Sequence, residues 1–501
     1  MNKTLEYNIN PLVAAIGKEP KDFTKSDIIK FITDNEIRIV NFRYVAADGR
    51  LKTLNFPVTN LQYLESILTF GERVDGSSLF PYIAASSSDL YVIPRFSTAY
   101  LDPFAQIPTV GFICSYFTKD GEPLESAPEY TLKKAHKAFQ AKTGLSFEAM
   151  GELEFYLVDE ADPAFPAEDQ HGYHESAPFA KFESFRTDAM RCIAQVGGQI
   201  KYGHCEVGNF TIDGKIYEQN EIEFLVNPVE SAADQLLMAK WVLRTLAYEY
   251  GIDITFAPKI TAGKAGSGLH FHTRLVKGDH SVMTNPDGTL SDDARRAIAG
   301  YMKFAKSLTA FGNTNPTSYF RLVPHQEVPT SVCWGDRNRS VLVRVPLGWG
   351  VKKSMCAIAN PLEDGSGFKA PDKQTVEMRS GDGSADIYNM LAGLVTAART
   401  GFEMPDALEV ANATYVNVNI HDKANEALLN SLDQLPASCW ESAEALEADR
   451  ALYEAEGIFS PALIDGTVAK LKAYKDRNIR EEIGSDQAKM LEIVRKYYHC
   501  G

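Results

Sequence analysis

Residues 146–159 read SFEAMGELEFYLVD. Side chains of an extended chain alternate faces, so Glu152 and Glu154 point one way while Leu153 and Phe155 point the other. Two carboxylates on one face of an otherwise apolar strand are costly unless something cationic lies between them, which makes a metal ion the first hypothesis. For this pair alone, a surface strand with two glutamates on its polar face is the commoner explanation. The spacing recurs, however, at Glu221 and Glu223 in YEQNEIEFLV, at His270 and His272 in SGLHFHTRLV, and at Glu377 and Arg379 in TVEMRS. Each lies in a β-branched or aromatic run. Four strands with paired polar residues on one face predict one lined cavity.

A chain of 501 residues buries a large core and predicts more than one domain. Its composition, 45% hydrophobic and 23% charged, is that of a globular protein. A formal charge of -15 argues against nucleic-acid or anionic-membrane partners, because phosphate binding wants a basic face. Seven cysteines are scattered without a CxxC pair, so no disulfide framework is expected and a reducing compartment is. The N-terminal MNKTLEYNINP lacks the apolar core of a signal peptide and no run is long and apolar enough to span a bilayer, so the expected location is cytoplasmic.

Residues 1–24 read as a loose extension, and Ser26 as the cap of a short helix with Ile28, Ile29, Phe31 and Ile32 at helical spacing. IRIVNFRYV and LKTLNF form a hairpin through the Asp48-Gly49 turn, and DLYVI and TVGFICSYF extend a small β-rich domain over residues 25–125. Between these strands, RVDGSSLFPY holds Asp75 in a Gly/Ser loop that is an ordinary turn on its own evidence. From residue 126 to 501, amphipathic helices alternate with strands, and the tail from about residue 435 is helical. The fold class is α+β, with a curved sheet in the larger domain.

Carboxylates with a single histidine suit hard divalent ions such as Mg²⁺ or Mn²⁺ better than zinc. If Glu152, Glu154, Glu206, Glu221, His270 and Glu377 converge, they provide for two or three ions, and sites of that kind clamp phosphates. Arg321, Arg339 and Arg344 fall within one short region, and guanidinium forks bind carboxylate and phosphate bidentately. A metal-rich pocket rimmed with arginines points to a nucleotide and an acidic substrate, against the bland alternative of surface ion pairs. GKAGSGLH, residues 263–270, lacks the Gly-Lys-Ser/Thr ending of a P-loop and leads into a strand, so its glycines are read as letting backbone approach a substrate.

These motifs together resemble glutamine synthetase of the bacterial type I class, from about residue 27 to the C-terminal helices. The resemblance rests on VDGSS (74–78), GELEF (151–155), HCEV (204–207), QNEI (219–222), GSGLHFH (266–272), NPTSYFRLVP (315–324), RNRSVLVRVP (337–346) and VEMR (376–379). Each is weak alone; their order and spacing are highly specific.

The resemblance implies a small β-grasp-like N-terminal domain and a large catalytic domain whose curved antiparallel sheet is backed by helices. It implies one ion on Glu154, Glu206 and Glu221 and another on Glu152, His270 and Glu377. Arg339 and Arg344 would hold ATP phosphates, Arg321 the substrate α-carboxylate, Arg379 its reacting end, and Gly266 would face its α-amino group. Asp75 and Ser78 would enter a neighbouring subunit's pocket and join Tyr173 and Glu206 there to bind ammonium, with Asp75 as base; Glu327 would close the pocket against water. The implied partners are L-glutamate, ammonium and ATP in a homo-oligomer, a dodecamer of two stacked hexameric rings.

Departures from the family pattern are specific. GNFTIDGKIY between Glu206 and Glu221 predicts about one extra hairpin turn. Cys205 and Ala265 replace a frequent histidine and asparagine; Thr375 stands where an arginine commonly contacts nucleotide; Arg274 replaces a serine beside the phosphates and is placed to compensate. Asp433 stands where some members carry the tyrosine modified by adenylylation. Three other activities compete with ammonium ligation: a sister ligase joining glutamate to an organic amine, a catalytically silent metabolite-binding relative, and a guanidino phosphotransferase.

Overall fold

The computed structural model describes residues 5, 7–323, 328–348, 350–351, 353–369, 371–420, 422–483 and 486–501. The N-terminal sheet comprises β1 (Ile39–Val45), β2 (Leu51–Pro57), β3 (Glu72–Asp75), β4 (Asp89–Pro94), β5 (Tyr100–Leu101) and β6 (Thr109–Phe117). Its order is β2-β1-β6-β4-β3, with β5 pairing β6; β1 and β6 run parallel and the other pairs antiparallel.

The expectation of a loose extension is corrected. Pro at the first position and an Asn10 side chain accepting from Leu12 N–H start a helix, Pro11–Ile16, that buries Leu12 and Val13 completely in the core of this domain. The next helix, Lys25–Asp34, is capped by Thr24 rather than Ser26. Thr24 and Asp27 satisfy each other's backbone N–H in a capping box, which places the helix start one residue before Ser26.

The second sheet is built from β7 (Ser146–Glu160), β8 (Ile200–Ile212), β9 (Lys215–Phe224), β10 (Asn227–Pro228), β11 (Asp253–Thr255), β12 (Leu269–Lys277), β13 (His280–Ser281), β14 (Trp334–Asp336), β15 (Val343–Val345) and β16 (Val376–Met378). Its main path runs β14-β15-β16-β12-β7-β9-β8, antiparallel except between β14 and β15. The fifteen-residue β7 is central. Its Leu153, Phe155 and Leu157 are fully buried in a core shared with helices Val229–Tyr250, Asp292–Gly312 and Ile387–Glu403. With that apolar face fixed on the helices, a period of two sends Glu152 and Glu154 to the opposite face.

The extra hairpin predicted from GNFTIDGKIY is present. β8 and β9 turn through Asp213 and Gly214, both with positive φ (52° and 79°), as the twist of a two-residue hairpin demands. The domains are tied by Arg95, whose two terminal nitrogens bond the Asp234 carboxylate at 2.7 and 2.8 Å, and by Arg43, which pairs with Asp102 and lies 3.9 Å from the centre of the Trp241 ring.

Candidate active site

Register converts the recurring two-residue spacing into a row across the sheet. Glu152 lies opposite His270 on β12 and Glu223 on β9; Glu154 lies opposite Glu221; Glu221 lies opposite His204 on β8. On the other side His272 lies opposite Glu377, and Glu377 opposite Arg344. These residues line one cavity of about 1170 Å³.

Among the described residues, two groups within it have metal-ligand geometry. Ligand atoms of Glu152, His270 and Glu377 all lie within 4.8 Å of one another, and so do those of His204, Glu221 and Glu223. The first is the set expected. In the second, Glu221 keeps different company: His204 Nε2 is 3.5 Å from Glu221, while Lys201 and Tyr202 bond Glu223. Glu206 is close by, accepting from Val207 N–H at 3.0 Å and repelled by Glu154.

Glu206 reaches this position through an irregularity. Between Cys205 and Asn209 β8 advances four residues while β9 advances only two, from Asn220 to Glu218. The surplus bulges and re-aims Glu206 toward the cavity. Beneath the bulge, Arg186 donates to the Cys205 sulfur at 3.1 Å and Cys205 faces Glu218, so this residue belongs to a buried polar network.

The electrostatics distinguish the two sides. Burial favours the neutral acid of Glu152, yet His272 and His270 hold its carboxyl well below the usual range. Burial opposes charge on His272, and the Glu152 carboxylate 2.8 Å from its Nε2 nonetheless raises its pKa. The opposite holds for the other acids. Burial and the facing Glu154 push Glu206 up to about 7, and burial with four neighbouring glutamates pushes Glu221 well above its ordinary value. Like charges directly opposite on adjacent strands are unfavourable, and oxygen-rich ligation of Mg²⁺ or Mn²⁺ would supply the counter-charge that offsets them. The residues fit such ions.

The arginines are held by the same row. Arg344 donates to Glu377 Oε2 at 2.9 Å and Arg379 to Glu377 Oε1 at 3.1 Å, and Glu377 is only 2% exposed. Arg379 also bonds the Arg339 carbonyl. Arg321 donates to the carbonyls of Ser380 and Gly381 at 3.0 and 3.1 Å, with its second nitrogen 3.2 Å from His270 Nε2. Gly266 lines the cavity with Arg321, and its carbonyl accepts from Gln219, which also donates to Glu154 at 3.0 Å.

Other expectations land differently. Arg274 lines the cavity, but its Nε and Nη2 both go to the Glu148 carboxylate, so its charge is already answered there rather than by a phosphate. Thr375 contacts His272 Nδ1 at 2.8 Å and orients that ring. Asp75 and Ser78 are exposed on the N-terminal domain, do not line the cavity of their own chain, and bond each other at 2.7 Å. Donation from Ser78, Ser77 and Ser88 holds the Asp75 carboxyl far below its usual range. Tyr173 lines the cavity and is 52% exposed. Glu327 lies outside the described residues. Gln219, His204 and Tyr202 were not singled out from the sequence. Their signal was the same alternation, since Gln219 precedes Glu221 by two residues, and Tyr202 and His204 precede Glu206 by four and two.

Comparison with known proteins shows the family of the chain. Residues 36–119 match the family "Glutamine synthetase, beta-Grasp domain" and residues 125–487 match "Glutamine synthetase, catalytic domain". Glutamine synthetase of Staphylococcus epidermidis is 30% identical over 445 residues, covering 87% of this chain and 92% of that protein. The Staphylococcus aureus enzyme is 28% identical over the same lengths. Among solved structures, a ligand-free GmaS superposes with a TM-score of 0.71 at 19% identity, covering 92% of this chain and all of that one. Plasmodium falciparum glutamine synthetase gives 0.73 at 19% identity, covering 92% and 99%. These two share the fold. The chain belongs to the glutamine synthetase family, whose members are ATP- and divalent-metal-using ligases.

Proposed function

We propose that this protein ligates ammonium to L-glutamate with ATP, through a γ-glutamyl phosphate. The observation that carries the reading is the row of acids, imidazoles and guanidinium groups across β8, β9, β7, β12, β16 and β15, opening into one cavity. Glu152, His270 and Glu377 would hold one ion, and Glu154, Glu206 and Glu221 another; bound there, Mg²⁺ or Mn²⁺ would neutralise phosphate charge.

Arg339 and Arg344 orient the triphosphate, and Arg321 binds the substrate α-carboxylate near Gly266. The γ-carboxylate oxygen attacks the γ-phosphorus and ADP leaves; Arg379 answers the charge on the reacting end. Ammonium enters beside Tyr173 and Glu206. Asp75 and Ser78 of an adjoining protomer complete that subsite, and Asp75 takes a proton so that the amine gains its lone pair. The amine then displaces phosphate from the acyl carbon. Glu327 would exclude water while the acyl phosphate exists. Sites shared in this way require a homo-oligomer, for which a dodecamer of two hexameric rings is the family-based reading, in the cytoplasm.

No helix among the described residues is long and apolar enough to cross a membrane. Phosphate release with glutamate and ammonium, set against methylamine, ethylamine and putrescine, tests the acceptor. Activity with an organic amine alone would replace ammonium ligation by the sister reaction.

A further inference from the structure

The loop bearing Tyr173 is stitched to β8 across its bulge. Backbone N–H groups of Gln170, Gly172 and His174 donate to the carbonyls of Asn209, Val207 and Cys205 at 2.8, 3.2 and 3.0 Å. This irregular ladder carries the loop past Glu206. At its end His174 adopts a left-handed backbone (φ 60°), a conformation that histidine and asparagine tolerate better than most residues with a Cβ.

The turn packs the His174 ring against two others that also touch each other. It stacks on Tyr173 with centroids 4.1 Å apart and planes 22° from parallel and lies 4.4 Å from His204, while Tyr173 and His204 meet edge to face at 5.7 Å. Tyr173, His174, His204 and Glu206 all line the cavity. Because Tyr173 is half-exposed, its stack on His174 and edge contact with His204 rather than burial fix its ring.

We propose that His174 is the residue that sets the size of the amine-acceptor pocket, its ring closing a three-ring cluster with Tyr173 and His204 and holding the tyrosine against a small cation. The inference rests on the amidation reading above. Removing a ring from such a wall opens space for an alkyl arm, and one methylene in an apolar pocket changes discrimination by about 10–200-fold.

His174→Asn keeps the left-handed backbone and removes the ring; His174→Phe keeps a ring without the imidazole nitrogens. For His174→Asn the expected result is a KM for ammonium raised roughly tenfold, with kcat and the KM values for glutamate and ATP within about twofold of wild type. Its ratio of methylamine to ammonium turnover should rise about tenfold, while that ratio in His174→Phe, which keeps a ring in the wall, should stay within about twofold of wild type. An ammonium KM and amine ratio unchanged in His174→Asn would overturn the inference. So would equal losses on glutamate and ATP, or an amine ratio raised as much in His174→Phe as in His174→Asn. Wild-type turnover with ammonium alongside any of these results leaves the amidation reading standing; wild-type turnover with an alkylamine but not ammonium overturns both.

Discussion

Glu154 and Glu221 stand directly opposite each other on β7 and β9, two carboxylates in register on the cavity face of one antiparallel pair. No sheet gains stability from that arrangement by itself. Burial and this crowding of acids push the neighbouring Glu206 carboxyl, and that of Glu221 itself, upward.

The first prediction concerns pH. Glu206, pushed from 4.5 to about 7 by burial and Glu154, binds its proton more tightly folded than unfolded. Its contribution to stability is therefore complete below the unfolded value and lost as pH rises through about 7; Glu221 moves in the same direction. The metal-free protein should melt at progressively lower temperature between about pH 5 and 8, and saturating Mg²⁺ or Mn²⁺ should flatten the profile. Calorimetry with and without the ions checks both parts; a metal-free profile already flat would contradict the assignment.

Glu377 lies between Arg344 and Arg379 and is almost wholly buried. Arg344→Ala should cost about 1–3 kcal/mol in the metal-free protein, because a buried carboxylate loses one of its donors. Adding Glu377→Gln should recover most of that loss. Denaturant titration of the two variants decides it, and independent, additive costs would show that the two residues are not coupled.

A Cβ on Gly268 would sit 2.6 Å from Arg321 Nη2 and 2.6 Å from His270 Nε2. Both side chains must give way, so Gly268→Ala should lower kcat/KM for glutamate by roughly 100-fold while changing thermal stability little. Activity close to wild type would mean that neither group needs its observed position.

Much of this site was legible because a strand repeats every two residues and one face of β7 was plainly apolar. That fixed the side on which Glu152 and Glu154 lie, and the same rule found His270 and Glu377. It fails where the ladder breaks. Glu206 sits on a bulge, where two strands advance by different numbers of residues, so only the HCEV motif flagged it. His174 lies on a loop, which has no period to read. The first helix has no legible period because its two buried residues, Leu12 and Val13, make no recurring pattern. Ser26 reads as the cap because the box formed by Thr24 and Asp27 uses Asp where Glu or Gln is the usual signature.

Asp75 is exposed and absent from its own chain's cavity, so a shared site makes a sharp prediction. Asp75→Ala and Glu152→Ala should each be nearly inactive. Co-assembled in equal amounts, they should regain about a quarter of wild-type activity, since a site drawing Glu152 from one chain and Asp75 from another is intact with a chance of one half for each. A mixture no better than its parents would place Asp75 outside the chemistry.

The central claim is that the carboxylate oxygen of glutamate attacks ATP before any amine arrives. Glutamate labelled with ¹⁸O in its γ-carboxylate, turned over with ATP, ammonium and Mg²⁺, tests it by mass analysis of the phosphate released. The account predicts one labelled oxygen in each phosphate per amide formed. Unlabelled phosphate, or phosphate released at the same rate without glutamate, would contradict it.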